Sequence, residues 1–190
     1  MSARQEFWSI YRESLPILTI ALGGGLFAGL VLEEMLESVV RFPGLLVMVP
    51  VFLATRGNVY GALGGRIASG LHQGLVRPRF ERNDRLIHAV VASFVNGIGI
   101  SIVIGVITWL TLVLIGWDRA ALYELVGIMF VAGTLTSVVM IVGLLTLIFA
   151  GYRYGYDPDN LVGPIVTTLG DIFGMLFLLF SVWLAGVIWV

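Results

Sequence analysis

Five apolar runs, each long enough to cross a bilayer and joined only by short polar links, constrain this chain more than any other feature. A hydrocarbon core of about 30 Å needs roughly 20 helical residues to cross it. The runs cover about residues 16–35, 43–63, 86–115, 122–150 and 161–190. The last three exceed a single crossing and must tilt or project beyond the hydrocarbon. Dividing any of them would leave halves too short to span. Composition agrees: 58% of the 190 residues are hydrophobic and only 12% are charged, where a soluble domain carries about a quarter charged. So short a chain has no interior able to keep that much apolar surface from water. The expected fold is all-α and integral to the membrane, one domain of five transmembrane helices over 1–190. No tandem repeat, low-complexity linker or stretch large enough for a soluble nucleotide-binding domain interrupts it. Pumping driven by ATP would need a separate subunit.

The placement of charge sets the expected orientation. Arg77, Arg79, Arg82 and Arg85 lie in the link between the second and third runs, Arg4 and Arg12 before the first, and Arg153 before the fifth. The opposite links hold Arg41 and Arg119 only. Retained basic residues mark the cytoplasmic side of short loops, so the N-terminus is expected inside and the C-terminus outside. The first run is too long for a signal-peptide core and lacks a small-residue cleavage pattern, which reads as a retained span. Contact with anionic lipid headgroups suffices to explain the basic link, and no nucleic-acid partner is expected. With no cysteine, disulfides and thiolate metal sites are excluded. Two histidines, His72 and His88, flank the basic link and read as surface residues rather than a zinc site.

Ionisable and amide side chains are expensive in hydrocarbon, so those present usually face a cavity, a partner or an ion path. Asp171 stands about ten residues into the fifth run, with Thr167, Thr168 and Pro164 on its face one and two turns earlier. A carboxylate beside hydroxyls and carbonyls suits a hard cation, and magnesium keeps most of its waters, so one carboxylate per subunit is adequate. The alternative is an Asp paired with an Arg or protonated as a packing contact. Gly57 and Asn58 follow Pro50 in the second run, where freed carbonyls and the Asn58 oxygen could face an ion; the alternative is interhelical packing. Arg56 in the same stretch would repel a cation, and is expected to pair with Asp171 or Glu34. Glu33, Glu34 and Glu37 end the first run, with Glu37 beside both others on one helical face. They are either a cation-concentrating mouth or a solvated helix end. Asp157, Pro158, Asp159 and Asn160 begin the fifth run, where capping explains much and ion binding by Asp159 and Asn160 is compatible with it.

The Pro50…Arg56-Gly57-Asn58-Val-Tyr-Gly61…Gly65-Arg66 segment resembles the second-span signature of the MgtE-type magnesium transporter family. Asp157-Pro158-Asp159-Asn160…Gly163-Pro164…Thr167-Thr168-Leu-Gly-Asp171…Gly174 resembles that family's last span, closer to the animal solute-carrier magnesium transporters and archaeal relatives than to the bacterial channel. The resemblance implies a five-helix subunit that dimerises around a central cation path. It places Asp171 and Asn58 on that path and Glu33 or Glu34 at its outer end. Magnesium would be the cargo, with no cofactor. Arg56 stands where bacterial members usually have a second glycine, and regulation by the cytoplasmic gate of the bacterial channels is not expected to carry over. Animal relatives carry two such domains in one chain, so a single domain is expected to pair with a copy of itself or a paralogue.

The alternatives to passive transport are a sodium- or proton-coupled divalent cation exchanger and a non-transporting membrane scaffold subunit. An enzyme is not expected. The chain offers no Ser–His pair in facing spans, no metalloprotease His motif and no paired aspartates of an intramembrane protease.

Overall fold

In hydrocarbon a backbone has no water to bond, so each apolar run must satisfy its own amides and becomes one long helix. The computed structural model describes residues 3–189, with no side chain described for residues 3, 5, 6, 9, 10, 13 and 14. Met1, Ser2 and Val190, the ends of the expected domain, lie outside the described residues. Five helices are long and apolar enough to cross a membrane. They are α1 (Ala3–Glu34), α3 (Leu45–His72), α4 (Asp84–Ile115), α5 (Leu122–Arg153) and α6 (Pro158–Ile188), with a short α2 (Leu36–Arg41) after the first.

Local chemistry fixes where these helices start and stop. Gly44, at φ +105°, turns the chain from α2 into α3. The Asn83 side chain accepts from Leu86 N at 3.1 Å and starts α4, while Gly116, at φ +72°, ends it in the left-handed conformation that favours glycine. The Glu124 carboxylate accepts from Ala121 N at 2.7 Å in the first turn of α5. Asp157 accepts from Asp159 N at 2.9 Å, and Pro158 occupies the first turn of α6, where its missing N–H costs nothing. The capping role expected for Asp157 is therefore seen.

Helix α6 packs against α1, α3 and α5, and α4 against α3 and α5. Successive spans alternate in direction, which brings distant links together at each end of the bundle. At one end the Ala120 N–H donates to Pro43 O at 2.9 Å and Arg41 to Gly186 O at 2.9 Å; at the other His72 approaches Asp157.

Two apolar clusters fill the bundle. One joins Met35, Met48, Phe52, Leu125, Met129 and Leu178; the other joins Tyr60, Ile67, Met140, Leu144, Ile148 and Val166. Between them lies a buried polar layer of Arg56, Ser101, Thr136 and Ser137.

Two expectations are corrected at this level. The first helix breaks at Met35, whose side chain is fully buried, so Glu37 belongs to α2 and not to the helix of Glu33 and Glu34. Helix α3 runs unbroken through Pro50 and Gly57. Pro50 sits in its second turn, so the carbonyl it leaves without a donor is that of Leu46 alone, and Gly57 frees none.

Candidate ion path

The carboxylate of Asp171 is half-buried in the middle of α6 and opens on a cavity of about 220 Å³. Gly25, Gly29 and Leu32 of α1 and Val49 and Leu53 of α3 wall that cavity. Gly25 and Gly29 line it without side chains, a Cβ on Gly25 standing 3.9 Å from Asp171 Oδ2; beside the cavity, a Cβ on Gly24 would stand 3.1 Å from Thr168 Cγ2. Among the described residues no basic side chain lies within 4 Å of this carboxylate, and none hydrogen-bonds to it.

Arg56 does not pair with Asp171 or Glu34, contrary to expectation. It is fully buried, and its Nη2 donates to Ser101 Oγ at 2.6 Å and Gly97 O at 3.2 Å, both on α4. Its guanidinium lies 4.4 Å from the centre of the Phe52 ring, an arrangement attractive in its own right. Nε and Nη1 have no partner among the described residues. Tyr60, one turn on, donates to Ser137 Oγ of α5 at 2.6 Å. The charge that threatened to repel a cation is thus turned into the α3–α4–α5 seam.

Other oxygen-bearing groups lie along α6. Thr167 is exposed, its hydroxyl donating to Gly163 O and Pro164 O, both at 3.1 Å, so its lone pairs remain open. Thr168 packs on α1, and Asn160 and Asp159 are exposed at the helix start. Asp157 lies about 21 Å along the axis from Asp171. At the opposite end, Glu33 and Glu34 are exposed at the end of α1. Glu33 stands one turn beyond Gly29 on the same face.

Asn58 is not brought together with Asp171. It lines a separate cavity of about 590 Å³ between α3 and α4, with Thr55, Ser93 and Asn96. The reason is rotation: Leu53 faces the Asp171 cavity, and five residues further on α3 has turned by about 140°. Gly57 is half-buried beside Arg56, and a Cβ added there would meet nothing within 4 Å; it lines neither cavity.

One convergence has no signal in the sequence. His72, at the end of α3, places Nε2 3.6 Å from Asp157 Oδ1 and Nδ1 3.7 Å from Asp159 Oδ2. One ligand atom from each of the three residues lies within 4.8 Å of the others, so together they could hold a cation, with all three exposed.

Residues 49–181 match the family described as MgtE, divalent cation transporter, a stretch from α3 to α6 that contains both Asn58 and Asp171. The chain belongs to the MgtE divalent cation transporter family. Curated relatives support this at low identity. Solute carrier family 41 member 3 of Rattus norvegicus is 23% identical over 84% of this chain and 35% of its own length. Solute carrier family 41 member 2 is 23% identical in both Mus musculus and Homo sapiens, each over 78% of this chain and 27% of the relative. The chain therefore spans about a third of the length of the curated relatives it matches. No solved structure gives a significant match. Members of the family are multi-pass membrane proteins, and this chain has five helices long and apolar enough to cross a membrane.

Proposed function

We propose that this chain carries divalent cations, magnesium foremost, across a cell membrane through a path lined by α6 of each subunit in a homodimer. The observation that carries the reading is the Asp171 carboxylate: accessible, free of any basic partner among the described residues, and placed halfway along an apolar helix beside a cavity lined by Gly25 and Gly29. A carboxylate at that depth costs about 2.5–3.5 kcal/mol on insertion scales. A passing hydrated cation gives it a counter-charge, and a magnesium ion that keeps most of its waters asks for few protein oxygens. Glu33 and Glu34 collect cations at one mouth. Thr167 and Thr168 offer oxygens beside Asp171, and Asp159 and Asn160 border the other mouth.

Asn58 enters this path only by way of a partner subunit, since within one subunit it opens on the α3–α4 cavity. A second copy, or a paralogue, supplies the far wall that α6 lacks on its exposed Gly163–Thr167 face. The arginine-rich end, with the N-terminus, faces the cytoplasm.

The test is flux of magnesium, manganese, cobalt and calcium into liposomes carrying the purified protein, run with and without sodium and proton gradients. Uptake that follows voltage and needs no counter-ion gradient supports passive conduction. Uptake that stops without such a gradient replaces this reading with an exchanger, and absence of flux for every ion replaces it with a scaffold.

A further inference from the structure

A third, larger cavity lies far from Asp171, in the groove between the arginine-rich ends of α3 and α4, with a volume of about 790 Å³. That volume falls within the roughly 300–1,000 Å³ usual for sites that take small organic ligands. Its floor is apolar, from Ile67, Val76 and Leu86, all of them buried. Its rim is basic, from Arg66 on α3 and Arg85 and His88 on α4.

Arg66 and Arg85 differ from Arg77 and Arg79 in being unpaired among the described residues, and from Arg82 in lining the groove. Arg77 and Arg79 both reach Glu81, at 3.9 and 2.7 Å. Among the described residues Arg66 and Arg85 have no carboxylate within 4 Å, and both are exposed to the groove. Two uncompensated cations facing one groove call for an anion.

The groove is also held in shape before any ligand arrives. Gly74, at φ +68°, lets Leu75 N and Val76 N both donate to Gly70 O, at 2.8 and 3.0 Å. Asn83 both caps α4 and donates to Leu75 O at 3.0 Å. Phe80 meets Phe149 edge to face at 5.5 Å, tying the connecting loop to α5.

Position selects the kind of anion. Arg66 lies about 9 Å inside the end of α3, and Arg85 is in the first turn of α4. The cationic rim therefore sits where the spans pass from hydrocarbon to headgroups, with the apolar floor against the acyl region. An apolar floor beneath a basic rim matches an amphiphile, and basic pockets between transmembrane helices are the arrangement that recognises acidic headgroups.

We propose that this groove is a binding site for one anionic phospholipid, its phosphate held between Arg66 and Arg85 and its upper acyl chain lying on Ile67 and Leu86. The test uses the full chain purified in its native oligomeric state from bilayers of equal phosphatidylglycerol and phosphatidylcholine, with retained lipid counted by native mass spectrometry. The wild-type protein retains phosphatidylglycerol in preference to phosphatidylcholine. Each arginine near the surface is worth about a five-fold change, so Arg66→Gln with Arg85→Gln lowers that preference by about 30-fold. Arg77→Gln with Arg79→Gln leaves it unchanged, since Glu81 already engages those side chains. Ala62→Phe, which fills the groove and keeps every charge, lowers retention as well. The proposal is overturned by a double Arg66/Arg85 variant that still prefers phosphatidylglycerol, or by an equal loss in the loop variant, which would make the effect one of general charge. It is equally overturned if inorganic phosphate displaces the lipid as well as excess phosphatidylglycerol does, or if the double variant changes the oligomeric state while no lipid is retained by the wild type.

Discussion

Gly97→Ala should destabilise the bundle far more than a single methyl group suggests, because of where that methyl would go. A Cβ at Gly97 runs into the Tyr60 hydroxyl and lies 2.6 Å from Ser137 Oγ. Both groups are fully buried and bonded to each other at 2.6 Å. They have little room to retreat: Ser137 also donates to Gly133 O at 2.6 Å, and the Gly97 carbonyl accepts from both Arg56 and Ser101. Overpacking at such a site costs about 1–3 kcal/mol, and loss of the Tyr60–Ser137 bond adds about 0.5–1.5 kcal/mol. The expected total is about 2–4 kcal/mol. Gly99→Ala, with nothing within 4 Å of its Cβ, is the control and should be neutral or slightly stabilising. Tyr60→Phe removes the nearer of the two obstructing oxygens and frees Ser137 to shift, so the double variant with Gly97→Ala should be more stable than the sum of the single effects by about 1 kcal/mol. Reversible unfolding in mixed micelles measures all four proteins. If Gly97→Ala proves as stable as Gly99→Ala, the three-helix polar seam does not hold the bundle together as described.

Other substitutions test neighbouring parts of the account. Arg56→Met, similar in length and free of unpaired donors, should change stability by less than about 1.5 kcal/mol, whereas Arg56→Ala opens a cavity beneath Phe52 and should cost about 2–5 kcal/mol; equal losses in the same unfolding assay would mean that the charge itself is needed. Gly24→Val drives a branched side chain into Thr168 and should weaken the α1–α6 contact by about 1–3 kcal/mol and lower flux, while Gly23→Val, with open space around it, should do neither. His72→Ala, at an exposed site, should move stability by no more than about 0.5 kcal/mol, a result that a tightly coupled ion pair with Asp157 would contradict.

The membrane-crossing helices were legible because hydrocarbon admits so few alternatives: runs such as 86–115 can only be helices, and Asp157-Pro158 announces the start of α6 through the chemistry of its cap. Asp171 was legible for the same reason, as a carboxylate where only function or pairing keeps one. What the sequence could not show was the rotation of each helix about its axis. Arg56 was expected to seek a carboxylate, yet it found a backbone carbonyl and a serine on α4, acceptors that leave no mark in a sequence. The same rotation turned Asn58 away from Asp171, although the two belong to the motifs that carry the family resemblance. The break at Met35 also went unseen, since methionine is a good helix former and it is tertiary burial of that side chain, not local preference, that accompanies the break. The approach of His72 to Asp157 and Asp159 joins positions far apart in the chain through the packing of α3 on α6, which no local pattern encodes.

The account rests on Asp171 acting as the charged group that a passing cation meets. Asp171→Asn keeps the shape and polarity of the side chain while removing its charge, and among the described residues no basic side chain within 4 Å is left unpaired by the change. Magnesium uptake into liposomes containing equal amounts of folded wild-type and variant protein is the measurement. Uptake should fall to background in the variant while its melting temperature and oligomeric state stay those of the wild type. Uptake at the wild-type rate would contradict the central claim and remove Asp171 from the path.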